Sequence, residues 1–118
     1  MTSPKKLPPV HPGKVLNEDF LKELSLTPNA LAVAIKVPAP RIYALVKGTR
    51  AFTADTAMRL GKYLGTSAQF WMNLQARYDL DLAEDQLAEE LATIRPFKAD
   101  DRGPGVATKA NARRAAAG

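Results

Sequence analysis

Residues 27–48, TPNALAVAIKVPAPRIYALVKG, place a proline just inside each of two short apolar-patterned segments and a glycine after the second. Pro28 follows Thr27, Pro40 follows Val37-Pro38-Ala39, and Gly48 closes the run. A proline suits the first helical positions because the N–H it lacks would be unpaired there. A glycine suits the residue past a helix end because it tolerates positive φ. The stretch therefore predicts two short helices joined by a tight turn, a helix-turn-helix. Neither helix buries much alone, so the unit needs a scaffold. Its second helix offers Arg41, Tyr43 and Lys47 outward, a surface suited to entering a DNA groove.

The remaining residues supply that scaffold. Residues 1–12, with prolines at 4, 8, 9 and 12, predict an extended arm. A first helix is expected over 13–24, where Leu16, Phe20 and Leu24 recur at i+4. Thr27 is a candidate N-cap for the second helix, which points Leu31 and Ile35 inward. The turn is Lys36-Val37-Pro38. The third helix, 39–47, buries Ile42, Leu45 and Val46. Thr53 caps a fourth, with Ala57, Leu60, Gly61 and Leu64 on one face, and Gly65 ends it. Thr66 or Ser67 caps a fifth, carrying Phe70, Trp71, Leu74 and Tyr78. A separate acidic helix over 83–94 repeats Leu87, Leu91 and Ile94 until Pro96 stops it. No convincing alternation marks a strand. The class is all-α: a helix-turn-helix domain over 13–78, an acidic C-terminal helix within 79–97, and a basic tail over 98–118. That tail is too poor in large apolar residues to offset the entropy of ordering and is expected to be disordered.

Charge follows these divisions. Residues 1–78, 79–97 and 98–118 carry +7, −5 and +3, within a net +5. A basic module is drawn to phosphate by counterion release. The alternative is a lopsided solvated surface. Cysteine is absent, which removes disulfides and thiolate metal sites and fits a reducing cytoplasm. No apolar run approaches the ~20 residues that span a bilayer. The first residues lack the apolar stretch of a secretion signal. A soluble cytoplasmic, nucleoid-associated protein is expected. His11, alone beside Pro12, predicts no metal site. One histidine, no cysteine and serines only at 3, 25 and 67 leave no nucleophile–base pair, so neither enzyme activity nor a cofactor is expected.

Longer motifs extend the reading. Leu31-Ala32, Val37, Ile42 and Gly48 match the pattern of the λ-repressor-like helix-turn-helix fold, a five-helix domain whose second and third helices read DNA. Residues 48–60, GTRAFTADTAMRL, resemble the G-x-R-x-(I/F)-T-A-D-T-A-x-R-L segment of HigA-type antitoxins. Residues 65–80, GTSAQFWMNLQARYDL, are similar to that family's G-T-S-x-x-F-W-x-N-L-Q-x-x-Y-D-L, and His11-Pro12-Gly13 resembles its opening H-P-G. The resemblance covers about residues 11–95. It implies a type II antitoxin: a dimeric repressor of its own operon that also silences a small RelE-like (HigB-type) toxin, a ribosome-dependent mRNA endonuclease. Two positions depart from the pattern. Pro28 stands where a phosphate-contacting Gln is frequent. Lys36 stands where Gly is frequent, and demands a left-handed turn residue or a different turn.

In this docking mode the third helix lies in the major groove. Pro40, Tyr43, Ala44 and Lys47 share its outer face, with Pro38 and Ala39 at its start and Arg41 beside them. Arg41 is the candidate for direct readout, because its two-pronged head fits guanine O6 and N7. Tyr43 either packs on a thymine methyl, bonds a phosphate, or packs against its own domain. Ala44 permits close approach. Lys47, Thr49 and Arg50 are candidates for phosphate, as is Asn29 at the start of the second helix. One domain makes too few base contacts, so a homodimer on two half-sites is expected. Phe70, Trp71, Leu74, Tyr78, Leu87 and Leu91 are the candidate dimer or partner surface, the first four doubling as candidate core. The acidic helix is either a solvated face or a surface complementary to a basic toxin. The competing function is an interaction module that keeps the fold without sequence-specific DNA binding.

Overall fold

A computed structural model describes residues 8–98, which form five helices and no strand. The expected tail over 98–118 lies outside the described residues except for Lys98, as does the arm before residue 8. Residues 8–11 have no regular structure. Helix α1 spans 12–21, α2 Pro28–Ile35, α3 Ala39–Lys47, α4 Ala54–Leu64 and α5 Ala68–Thr93. The chain divides into two compact units, Met1–Leu87 and Ala88–Gly118, with the boundary inside α5. In the second unit the described residues are the end of α5 and 94–98, which have no regular structure.

The caps form where side-chain chemistry predicts them. Thr27 Oγ1 accepts the Ala30 N–H at 3.0 Å, Thr53 Oγ1 the Thr56 N–H at 3.4 Å, and Ser67 Oγ the Phe70 N–H at 3.0 Å. Gly48 and Gly65 close α3 and α4 with φ of 82° and 79°. Lys36 keeps the left-handed turn despite its side chain, at φ 61° and ψ 50°.

Two elements differ from the sequence reading. Helix α1 begins as an ordinary α-turn and widens over Leu16–Leu21 into i→i+5 bonding, with Lys22 N donating to the Asn17 carbonyl at 3.0 Å. A wider turn brings residue i+5 beneath residue i. Leu16 and Leu21 are therefore the buried pair, and Leu24, which i+4 spacing turned inward, is 57% exposed. The second difference is at the C-terminal end. The acidic stretch is helical, yet it continues α5 rather than starting afresh. No proline or glycine interrupts 68–93, and the side-chain pairs Gln75–Asp79 (2.9 Å) and Arg77–Asp81 (3.3 Å) bridge the expected break at i,i+4 spacing.

The core gathers Leu16, Leu21, Leu31, Ile35, Ile42, Leu45, Phe52, Leu60 and Trp71. Trp71 stacks on Phe52 with ring centroids 5.5 Å apart and an interplanar angle of 12°. Its indole N–H donates to Thr66 Oγ1 at 2.7 Å, which satisfies the polar edge of a buried ring. Buried Gln75 accepts the Phe52 N–H at 2.8 Å and pins the loop between α3 and α4 to α5.

Candidate nucleic-acid interface

The outward face of α3 is set by what its inner face buries. Ile42 and Leu45 are sealed in the core, and α1 presses on the α3 backbone behind them. A Cβ on Gly13 would lie 1.7 Å from the Leu45 carbonyl oxygen, so only glycine permits this approach. Fixed from behind, α3 leaves Pro38, Pro40 and Lys47 exposed, Tyr43 47% exposed, and Ala39 and Ala44 half-covered. Thr49 and Arg50 are exposed just past the helix end, and Thr49 returns both its N–H (3.0 Å) and its hydroxyl (3.2 Å) to the Ala44 carbonyl. Asn29 is exposed at the start of α2. The structure thus brings together on the α3 end and loop most of the residues expected to meet DNA.

Arg41 differs from the free-standing reader that spacing suggested. Its side chain is 26% exposed, and its Nη1 lies 3.5 Å from Asp55 Oδ1 in the first turn of α4. Its Nε is buried with no hydrogen-bond partner among the described residues. The guanidinium leans back on α4 but is not sealed from solvent. Sequence spacing gave its helix face and missed the carboxylate that another element places beside it.

Asp55 is shared. Arg59 Nε donates to the same oxygen at 2.6 Å, and this hydrogen bond, more than the nearby cations, holds the Asp55 carboxyl below its ordinary range. From the other side Arg59 Nη1 donates to the Ile35 carbonyl at 3.0 Å and reaches that of Lys36 at 3.4 Å. Those carbonyls belong to the end of α2, where helix geometry leaves acceptors unpaired and a cation is favoured. One side chain therefore ties α4 to the turn between α2 and α3. Its position off the apolar face of α4 marked it as polar in the sequence, and nothing local marked its partners.

His11 is another residue whose place the sequence did not disclose. It caps α1: its Nδ1 accepts the Gly13 N–H at 2.9 Å. The ring stands edge-on to Tyr78, centroids 4.8 Å apart, and 6.3 Å from Phe52. Burial lowers its pKa from the ordinary 6.5, against the pull of the Arg50 carbonyl and the Asp79 charge.

The candidate partner surface sorts by burial. Trp71 is a correction: at 0% exposure, wrapped by Phe20, Phe52 and Phe70, it is core and presents nothing to a partner. Leu74 and Tyr78 are half-buried, Leu74 against the core and Tyr78 against His11. Phe70, Leu87 and Leu91 are exposed on α5. No helix among the described residues is long and apolar enough to cross a membrane. An open cleft of about 430 Å³ between α2 and α4 is lined by Ala34, Ile35, Lys36, Met58, Arg59, Lys62 and Tyr63, cationic and apolar groups without a carboxylate.

Known proteins share this arrangement. Virulence-associated protein I of Dichelobacter nodosus is 43% identical over 97 residues, 82% of this chain and 89% of that protein. Antitoxin HigA-1 of Vibrio cholerae is 33% identical over 89 residues, 75% of this chain and 84% of its own. The structure of Pseudomonas aeruginosa antitoxin HigA with the higBA promoter superposes with a TM-score of 0.74 at 45% identity, covering 76% of this chain and 99% of that one. No family model matches the sequence. Identity at this level, over nearly the whole of each relative and with a shared overall fold, makes this chain a member of the HigA family of helix-turn-helix antitoxins.

Proposed function

We propose that this protein is a cytoplasmic antitoxin that binds operator DNA as a dimer, represses its own operon and neutralises a cognate RelE-like toxin. The observation that carries the DNA-binding reading is the outer side of α3. Tyr43 and Lys47 stand exposed there with Thr49 and Arg50 beyond them, while Ile42 and Leu45 lock the helix from behind. Promoter DNA bound by the Pseudomonas aeruginosa HigA supports carrying the activity to this chain. Lys47, Thr49 and Arg50, with Asn29, engage phosphate. Pro38, Ala39, Pro40 and Ala44 allow close approach of the helix start. Tyr43 meets a base methyl or the backbone. Arg41 swings from Asp55 to a guanine. Phe70, Leu87 and Leu91 join the twin subunit or the toxin, aided by the acidic face of α5. The protein acts by binding and carries out no catalysis.

The test is retardation of DNA taken from directly upstream of its gene, against a scrambled duplex, at ~150 mM salt. Preference for the upstream DNA is expected, and equal binding to both would remove the repressor role. The pairing of Arg41 with Asp55 favours a second reading, an interaction module that does not read sequence. Replacing Arg41 with Ala separates the two. A reader loses roughly 1–3 kcal/mol of specific binding, and an interaction module loses none.

A further inference from the structure

His11 lies outside the groove-facing set, yet the supports of that set converge on its ring. The Gly13 N–H at the start of α1 donates to its Nδ1 at 2.9 Å. A Cβ on Gly48, at the end of α3, would come within 3.5 Å of the ring. Tyr78 of α5 stands against one edge, and the Arg50 carbonyl of the following loop attracts a proton to the ring. We propose that His11 is a positioning residue for the DNA face, its neutral ring bridging the start of α1 to residues 48–50 so that Thr49 and Arg50 are held to meet phosphate. This rests on the operator-binding reading above.

The hydrogen-bond pattern fixes the tautomer. A neutral imidazole has one donor and one acceptor nitrogen. Nδ1 accepts from Gly13, so Nε2 carries the proton and is left for the Arg50 carbonyl. A second proton on Nδ1 turns acceptor into donor, sets it against the Gly13 N–H, and removes the cap. Burial opposes that proton, while the Arg50 carbonyl and Asp79 favour it. The titratable and charged groups around the ring are Tyr78 and Asp79 from α5 and Arg50 from the loop; Gly48 and Phe52 add none. The expected sign is opposite to simple electrostatics. Adding a positive charge near DNA tightens binding to phosphate, whereas losing the bridge weakens it.

His11 is the chain's single histidine, so a side-chain titration across the histidine range belongs to it. The experiment uses the full chain, a duplex from directly upstream of its own gene and a scrambled control, at fixed ionic strength, with helicity followed by circular dichroism. Between about pH 7.5 and the acid pH at which the ring's own NMR shift shows it protonated, the wild type is expected to weaken roughly fivefold, the equivalent of one lost helix cap. His11→Asn keeps a capping acceptor and does not titrate, so its affinity should be flat across the same range. Equal slopes for the two proteins, no slope in the wild type, or tighter binding in acid overturns the proposal. A second readout needs no DNA. Amide-exchange protection of Gly13 and Thr49 should fall together in the wild type as the ring protonates. Loss at Gly13 alone reduces His11 to a cap of α1 and overturns the bridge. A wild type that does not distinguish its upstream duplex at neutral pH removes the operator-binding reading instead, and the exchange data then decide the bridge by themselves.

Discussion

Lys36 shows what a single residue contributes. Its side chain is exposed, so nothing in the core holds it in the left-handed region; the turn between α2 and α3 does. For an L-residue that conformation costs about 1–2 kcal/mol, part of which glycine relieves. Lys36→Gly should therefore raise unfolding stability by roughly 0.5–1 kcal/mol in a urea titration. Trp71 is the opposite case, a large ring with no exposed surface and a satisfied N–H. Trp71→Ala should cost roughly 3–5 kcal/mol by the same measurement. Residues whose role is local were legible in the sequence: Thr27, Thr53, Gly48 and Gly65 act on backbone groups within a few positions of themselves. Arg41 was only half legible. Spacing gives the side of α3 on which it lies, but Asp55 reaches it from α4, fourteen residues along the chain.

At the scale of elements, the helices that begin and end on caps fell where the sequence put them. The two that departed were governed by more than their ends. The widening of α1 exchanges Leu24 for Leu21 as the buried partner of Leu16, and no residue type in 16–21 announces it. The continuity of α5 was written in the absence of any breaker between 68 and 93, a weaker signal than a proline or glycine that is present. The junction of α4 with the α2–α3 turn hangs on one guanidinium. Arg59→Met retains much of the side chain's length and loses the hydrogen bonds to Asp55 and to the carbonyls at the end of α2. A loss of about 1–2 kcal/mol in thermal unfolding is expected, at the low end of charge-assisted hydrogen bonding because the side chain is partly exposed.

For the whole molecule, two environmental variables test the account. The first is salt. If Lys47 neutralises a phosphate, Lys47→Ala should weaken binding to all duplexes alike and reduce the slope of log K against log salt by about 1. The second is pH. The His11 pKa is lowered on folding, so the unfolded chain binds the proton more readily. Stability from this group is complete above the ordinary 6.5 and is lost as pH falls toward the folded value. Asp55 and Glu18 are also lowered, by hydrogen bonds from Arg59 and Lys22, so a further decline belongs below the ordinary carboxylate range. Melting temperature against pH should therefore show two descents toward acid, and His11→Asn should abolish the upper one. The sequence announced this molecule's class, its turn and its outward helix, because each is a short-range property. How tightly those parts are fastened is a long-range one, and nowhere more than at Gly13, where a missing side chain lets two backbones meet. The angle at which α3 is presented, on the proposed function to a duplex, is thus calibrated by an empty space. A single methyl group there, remote from any nucleotide, would tilt the probe and imitate the loss of a base contact it never made.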